Sequence, residues 1–145
     1  MCPPGVTVLR AGEAAGPLFG GTITQLTASL GTPYAFDPPA GCILFLEDVN
    51  ERPYRIDRML TQLALGGKFD RAAGVVFGRC SRCDFKGPTF SLEEILRDRF
   101  GSLPVPAISG LSFGHIEQKL TLPIGIRATL DADAGTVTID EAAVA

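Results

Sequence analysis

The sequence predicts an α/β domain of three layers, with a small parallel sheet, an antiparallel hairpin element and covering helices. Continuous apolar runs at residues 42–46 and 75–77 fit strands buried on both faces, the mark of a parallel sheet. Each run is followed by helical punctuation, so the order strand, helix, strand, helix, strand implies two right-handed crossovers. After Pro123 the apolar period changes to two, which marks a separate antiparallel hairpin. At 145 residues the chain has the length of one domain, given roughly 100–200 residues per domain.

Residues 1–5 are proline-rich and read as a linker remnant, residues 142–145 form an alanine-rich tail, and both ends are expected to fray. Residues 6–9 form a candidate edge strand, and the glycines and proline of residues 16–21 predict a turn. Ile23, Leu26 and Leu30 recur at helical spacing, and Gly31 followed by Pro33 ends that helix. Pro53, favoured in a first helical turn, opens a helix whose Ile56, Leu60 and Leu63 share a face, and Gly66-Gly67 closes it. Ser91-Leu92-Glu93-Glu94 is a capping box, in which the serine hydroxyl accepts from the Glu94 amide while the Glu94 carboxylate reaches back to the cap. That helix ends at Gly101, and residues 105–109 supply a third parallel strand. Ile126, Ala128 and Leu130 then alternate on one face, and Val137 and Ile139 resume it beyond a turn at residues 131–135.

Thirteen Lys and Arg against sixteen Asp and Glu leave a formal net charge of -3. No basic stripe interleaved with aromatics appears, so nucleic acid is excluded as a partner. The longest purely apolar run, residues 42–46, is far short of the ~20 residues that span a bilayer. The start of the chain lacks the charged and apolar segments of a signal peptide. No membrane partner and a cytoplasmic location are therefore expected. Four cysteines in a domain with a hydrophobic core need not form staples. Cys80-Ser81-Arg82-Cys83 is a C-x-x-C, but zinc needs a second pair of ligands and none follows. A redox motif would open a helix, whereas residues 84–88 read as loop. Two thiols on an ordinary loop are the preferred reading, with a thiol or zinc module as the alternative.

In an open parallel sheet, sites form outside the carboxyl ends of the strands, where loops converge. Glu47-Asp48 ends the first of these strands, Gly78-Arg79-Cys80 the second, and the third runs on into Phe113-Gly114-His115. The only histidine therefore shares an open rim, outside the core, with a carboxylate. Glu47 is placed to hold the His115 imidazole in one tautomer and to stabilise its cation, the role of the acid in a nucleophile, histidine, acid triad. The structural alternative leaves His115 an ordinary loop histidine and has Glu47 cap the following helix or pair with Arg52 or Arg55. Arg55 and Arg58 lie three apart on one helical face near the rim. Arg55 is a candidate to grip a substrate carboxylate in bidentate fashion, against the alternative of a solvated face with intrahelical pairs. None of Ser29, Ser81, Ser91, Ser102, Ser109 and Ser112 sits in a G-x-S-x-G elbow, so no activated serine is evident.

A set of segments carries a resemblance: Gly20-Gly21-Thr22-Ile23-Thr24-Gln25-Leu26, Ser29-Leu30-Gly31-Thr32-Pro33-Tyr34, ILFLEDVNERPYRIDRMLTQL at residues 43–63, Gly74-Val75-Val76-Phe77-Gly78, and FGHIEQKLTLPIGIRATLD at residues 113–131. Together they resemble the C-terminal domain of bacterial LD-carboxypeptidases, the murein tetrapeptide carboxypeptidase family, which also includes the microcin-immunity peptidases. The similarity runs over residues 6–139. It implies a swivelling β/β/α domain and a serine peptidase with a Ser, Glu, His triad, the serine on an N-terminal domain and the acid and histidine on this one. Glu47 and His115 match those two positions. The resemblance further implies removal of the terminal D-alanine from L-Ala-γ-D-Glu-meso-diaminopimelate-D-Ala in the cytoplasm during cell-wall recycling, with no metal or organic cofactor. Where the family usually shows Gly-Gly-Asn, this chain has Gly20-Gly21-Thr22. On this reading residues 1–145 are a single domain, the N-terminal nucleophile domain is absent, and the chain alone is inactive. Its implied partners are that domain, in cis or in trans, and the murein peptide; a homodimer with a second copy of the chain is left open by the sequence. A binding or interaction module of the same fold, without catalysis, is the alternative.

Overall fold

The computed structural model describes residues 2–85, 87 and 90–144, so the expected loop at 84–88 and the two chain ends lie partly outside the described residues. Along the chain run β1 (Thr7–Arg10), β2 (Glu13–Thr22), α1 (Ile23–Ser29), β3 (Cys42–Glu47), α2 (Pro53–Leu65), β4 (Ala72–Gly78), α3 (Leu92–Gly101), β5 (Ala107–Leu111), β6 (Arg127–Asp131) and β7 (Thr136–Ile139). The seven strands join in the order β1-β5-β4-β3-β2-β6-β7. The pairs β2·β3, β3·β4 and β4·β5 are parallel, and β1 closes one edge antiparallel to β5.

The apolar runs are continuous because both faces of the sheet are covered. Successive strand side chains point to opposite faces, so Cys42, Leu44 and Leu46 of β3 join Val75 and Phe77 of β4 beneath the helices. Ile43, Phe45 and Val76 instead meet Ala128 and Leu130 of the hairpin on the other face. Helix, sheet and hairpin are the three layers. Helix α2 buries Ile56, Leu60 and Leu63 completely, with Pro53 in its first turn and Gly66 at its end. Each such buried side chain contributes about 1.5–3 kcal/mol of transfer free energy. Helix α3 carries the expected capping box, with Ser91 accepting from the Glu94 amide and Glu94 accepting from the Ser91 amide.

Two expectations need correction. The turn expected at residues 16–21 is the middle of β2, a ten-residue strand. Glycine and proline read as breakers, yet here they serve a strand that must lie against two backbones in succession. Glu13–Pro17 pairs antiparallel with β6, and from Leu18 to Thr22 the same strand pairs parallel with β3. A Cβ on Gly20 would stand 1.7 Å from the Phe45 carbonyl oxygen, so no larger residue fits that approach. The hairpin of β6 and β7 is consequently not a separate element. It continues the sheet through β2 and curls over its face.

Candidate active site

Strands β2 and β3 run parallel and end side by side, with Thr22 opposite Glu47. The Thr22 hydroxyl donates to Glu47 Oε1. From the other side, the segment after β5 brings His115 to the same carboxylate. Its backbone N–H donates to Glu47 Oε2 at 3.2 Å, and its ring Nδ1 lies 2.8 Å from that oxygen. A carboxylate only accepts, so the ring proton is assigned to Nδ1 and the Nε2 lone pair is left free. Gly114 makes this approach feasible. Its φ is +102°, and a Cβ there would come within 2.6 Å of Glu47 Oε2.

Burial divides the pair in a way the sequence reading did not foresee. Both groups were expected on an open rim. His115 is indeed half-exposed, its side chain at 53%, but the Glu47 side chain is at 7% and sits beneath it. Phe45 and Phe113 pack edge to face, ring centroids 5.9 Å apart, and with Thr22, Gly20 and Leu122 they wall an open depression of about 250 Å³ over the carboxylate. A larger cleft of about 440 Å³ is lined by Arg79, Ser81, Arg82 and Ile116, among others.

The structural alternative for Glu47 goes to other residues. Asp48 caps a helix: its Oδ2 accepts from the Thr24 amide and the Thr24 hydroxyl, both at 2.9 Å, and so serves the N-terminus of α1, where Thr22 makes no side-chain cap. Arg52 lies over the Phe85 ring at 5.0 Å. Arg55 is not brought to the Glu47–His115 pair. Its Nη1 is 3.6 Å from Glu51 Oε2 and its Nε donates to the Tyr54 hydroxyl, the pattern of an exposed helix face. That hydroxyl, with Glu51 behind it, raises the guanidinium above its ordinary pKa.

Cys80 and Cys83 are not two thiols on a loop but a disulfide. The expectation failed because a core that needs no staple does not forbid one, and a four-residue turn places the two Cβ atoms within bonding reach. Cys42 is a buried free thiol and Cys2 a half-buried one. Among the described residues no group of three or more His, Cys, Asp and Glu could hold a metal ion, and no helix is long and apolar enough to cross a membrane. Sequence reasoning missed Thr22, Asp48 and Ser81 as parts of the site. For Asp48 a signal existed, since consecutive carboxylates at a strand end must point to opposite faces.

A buried carboxylate thus lies behind a half-exposed imidazole at the carboxyl ends of parallel strands, where open α/β sheets place their sites. The chain belongs to the LD-carboxypeptidase C-terminal domain family, whose sequence profile matches residues 15–130. A Streptomyces coelicolor protein named as a carboxypeptidase is 46% identical over 140 residues, 97% of this chain and 44% of its own length. A Bacillus subtilis protein named as a murein peptide carboxypeptidase is 39% identical, over 93% of this chain and 43% of its own. The crystal structure of muramoyltetrapeptide carboxypeptidase from Oxalobacter formigenes superposes with a TM-score of 0.78 at 34% identity, over 92% of this chain and 48% of that one. The chain thus spans less than half the length of the relatives it matches.

Proposed function

We propose that this domain supplies the general base, His115, and its orienting acid, Glu47, to a serine-type LD-carboxypeptidase that removes the terminal D-alanine of murein tetrapeptide in the cytoplasm. The nucleophilic serine comes from an N-terminal domain, in cis or in trans. One observation carries the reading: the 2.8 Å contact between His115 Nδ1 and the buried Glu47 carboxylate, with the imidazole itself half-exposed. With Nδ1–H donating to Glu47, Nε2 takes the proton of the serine hydroxyl as that oxygen attacks the peptide carbonyl. The imidazolium so formed is stabilised by Glu47 and gives its proton to the departing D-alanine amine. Water then enters by the same base and hydrolyses the acyl-enzyme. Thr22 keeps the second carboxylate oxygen occupied, so that Glu47 does not turn away from the ring.

The test uses the complete enzyme, nucleophile domain included, with D-alanine release from murein tetrapeptide as the readout. His115→Ala is expected to remove nearly all turnover. Glu47→Gln presents an amide to a ring N–H that needs an acceptor, and kcat is expected to fall by on the order of 10³ or more. Turnover within a few-fold of wild type in both variants would overturn the assignment.

A further inference from the structure

The segment carrying His115 has no regular secondary structure between the end of β5 at Leu111 and the start of β6 at Arg127. The direction of its imidazole therefore depends on what fixes the His115 backbone. Both polar backbone groups of that residue are tied to other parts of the chain. The N–H is held by Glu47, and the carbonyl accepts from the Ser81 hydroxyl at 2.8 Å. Ser81 is in turn joined to the loop that leaves Glu47, because its carbonyl accepts from the Asn50 amide at 2.9 Å and it forms a parallel bridge with Val49. One residue thus spans the two segments that meet at the candidate site.

The turn holding Ser81 is built under constraint. The disulfide between Cys80 and Cys83 closes it. Among the described residues the non-glycine positions with left-handed backbone are Asn50, φ 54°, and Arg82, φ 59°, and both adjoin these bonds. Such conformations persist where the surroundings over-determine them, and they cluster at functional sites. Cys83 is buried while Cys80 is partly open, so Cys80 is the sulfur within reach of an attacking thiolate.

We propose that Ser81 is a positioning residue for His115, and that the Cys80–Cys83 disulfide makes its hold sensitive to dithiol reductants. In the redox step a dithiol attacks Cys80, Cys83 leaves as a thiolate, and the second thiol of the reductant resolves the mixed disulfide. The protein gains two thiols as the reductant becomes a disulfide, with two electrons and two protons transferred. The opened turn regains backbone freedom, and the Ser81 hydroxyl no longer fixes the His115 carbonyl. The inference rests on the proposed pairing of Glu47 and His115 and names what keeps it aligned.

His115 is the only histidine, so a 15N-labelled sample of the chain gives one set of imidazole signals, and the exchange of its Nδ1 proton with solvent reads the pairing directly. Ser81→Ala is expected to speed that exchange about tenfold, the equivalent of one lost hydrogen bond, with the remaining amide spectrum unchanged beyond its neighbours. Ser81→Thr keeps a hydroxyl and restores slow exchange. Dithiothreitol reproduces the effect in the wild-type chain and adds nothing in Ser81→Ala. Unchanged exchange in Ser81→Ala, with fast exchange in Glu47→Gln, overturns the positioning role and leaves the Glu47–His115 pair standing. Unchanged exchange in Glu47→Gln overturns both. A response to Ser81→Ala without one to dithiothreitol overturns the redox part.

Discussion

Replacing Gly114 by alanine tests the geometry around Glu47 without touching either ionisable group. The added Cβ would stand 2.6 Å from Glu47 Oε2 and 3.0 Å from Glu47 Cβ, on a backbone whose φ is +102°. A non-glycine residue in so sparsely populated a region costs about 1–3 kcal/mol. For a chain of this size that lowers Tm by about 2–4 °C per kcal/mol. The carboxylate has no free direction to move in, since Thr22 holds one oxygen and His115 the other, and the group is buried. Yielding to the methyl group therefore breaks the contact with the ring, and ångström-scale displacement of a catalytic group costs about 10² in rate. We expect kcat of the complete enzyme to fall at least that far, with KM little changed. Gly31→Ala is the control. Its φ is +82° but nothing lies within 4 Å of where a Cβ would stand, so the substitution should lower Tm and leave kcat alone. Equal kcat in Gly114→Ala and Gly31→Ala would refute the steric argument.

At the start of α3, Ser91→Ala removes the capping box and is expected to cost about 1 kcal/mol, read by thermal or urea unfolding. The Ser91 amide and hydroxyl hold the Glu94 carboxyl below its ordinary pKa. Its contribution is therefore complete above the unfolded value of about 4.3 and is lost as pH falls through the lower folded value. The Tm difference between wild type and Glu94→Gln should accordingly be constant near neutral pH and close on acidification below about pH 4; a difference that widens there would contradict the sign. Burial pushes the Cys42 thiol above its ordinary pKa. An aromatic disulfide reagent at pH 8 is thus expected to label Cys2 in the native chain, Cys42 only after unfolding, and Cys80 and Cys83 only after reduction. Rapid labelling of Cys42 in the native chain would speak against the core described around β3.

The parallel core was legible because its evidence is local. Apolar continuity at residues 42–46, Pro53 and Gly66 around α2, and the capping box of α3 each lie within a few residues of the element they define. β2 was not, because the signal that a glycine makes room for a neighbouring backbone is identical to the signal that it makes a turn, and only the partner strand decides. The pairing of Glu47 with His115 could be suspected from strand-end topology. Its supports could not. Thr22 lies 25 residues from Glu47, and Ser81 lies 34 from His115. Residue periodicity reports which face a side chain takes, not which distant group it meets there. The C-x-x-C was visible as a pattern, but its oxidation and its place between two loops are tertiary facts.

Glu47 and Asp48 are neighbours in sequence and chemically near-identical, yet the pleat sends one to the ring of His115 and the other to the amide of Thr24. Deleting one apolar residue within β3 would leave the charge and the apolar character of the strand in place while exchanging the two carboxylates. The capping acid would then face the imidazole and the paired acid would face a helix. The strand thus encodes parity as well as hydrophobicity: function here depends on whether a residue is odd or even, and changes of length in β3 should be tolerated only in twos.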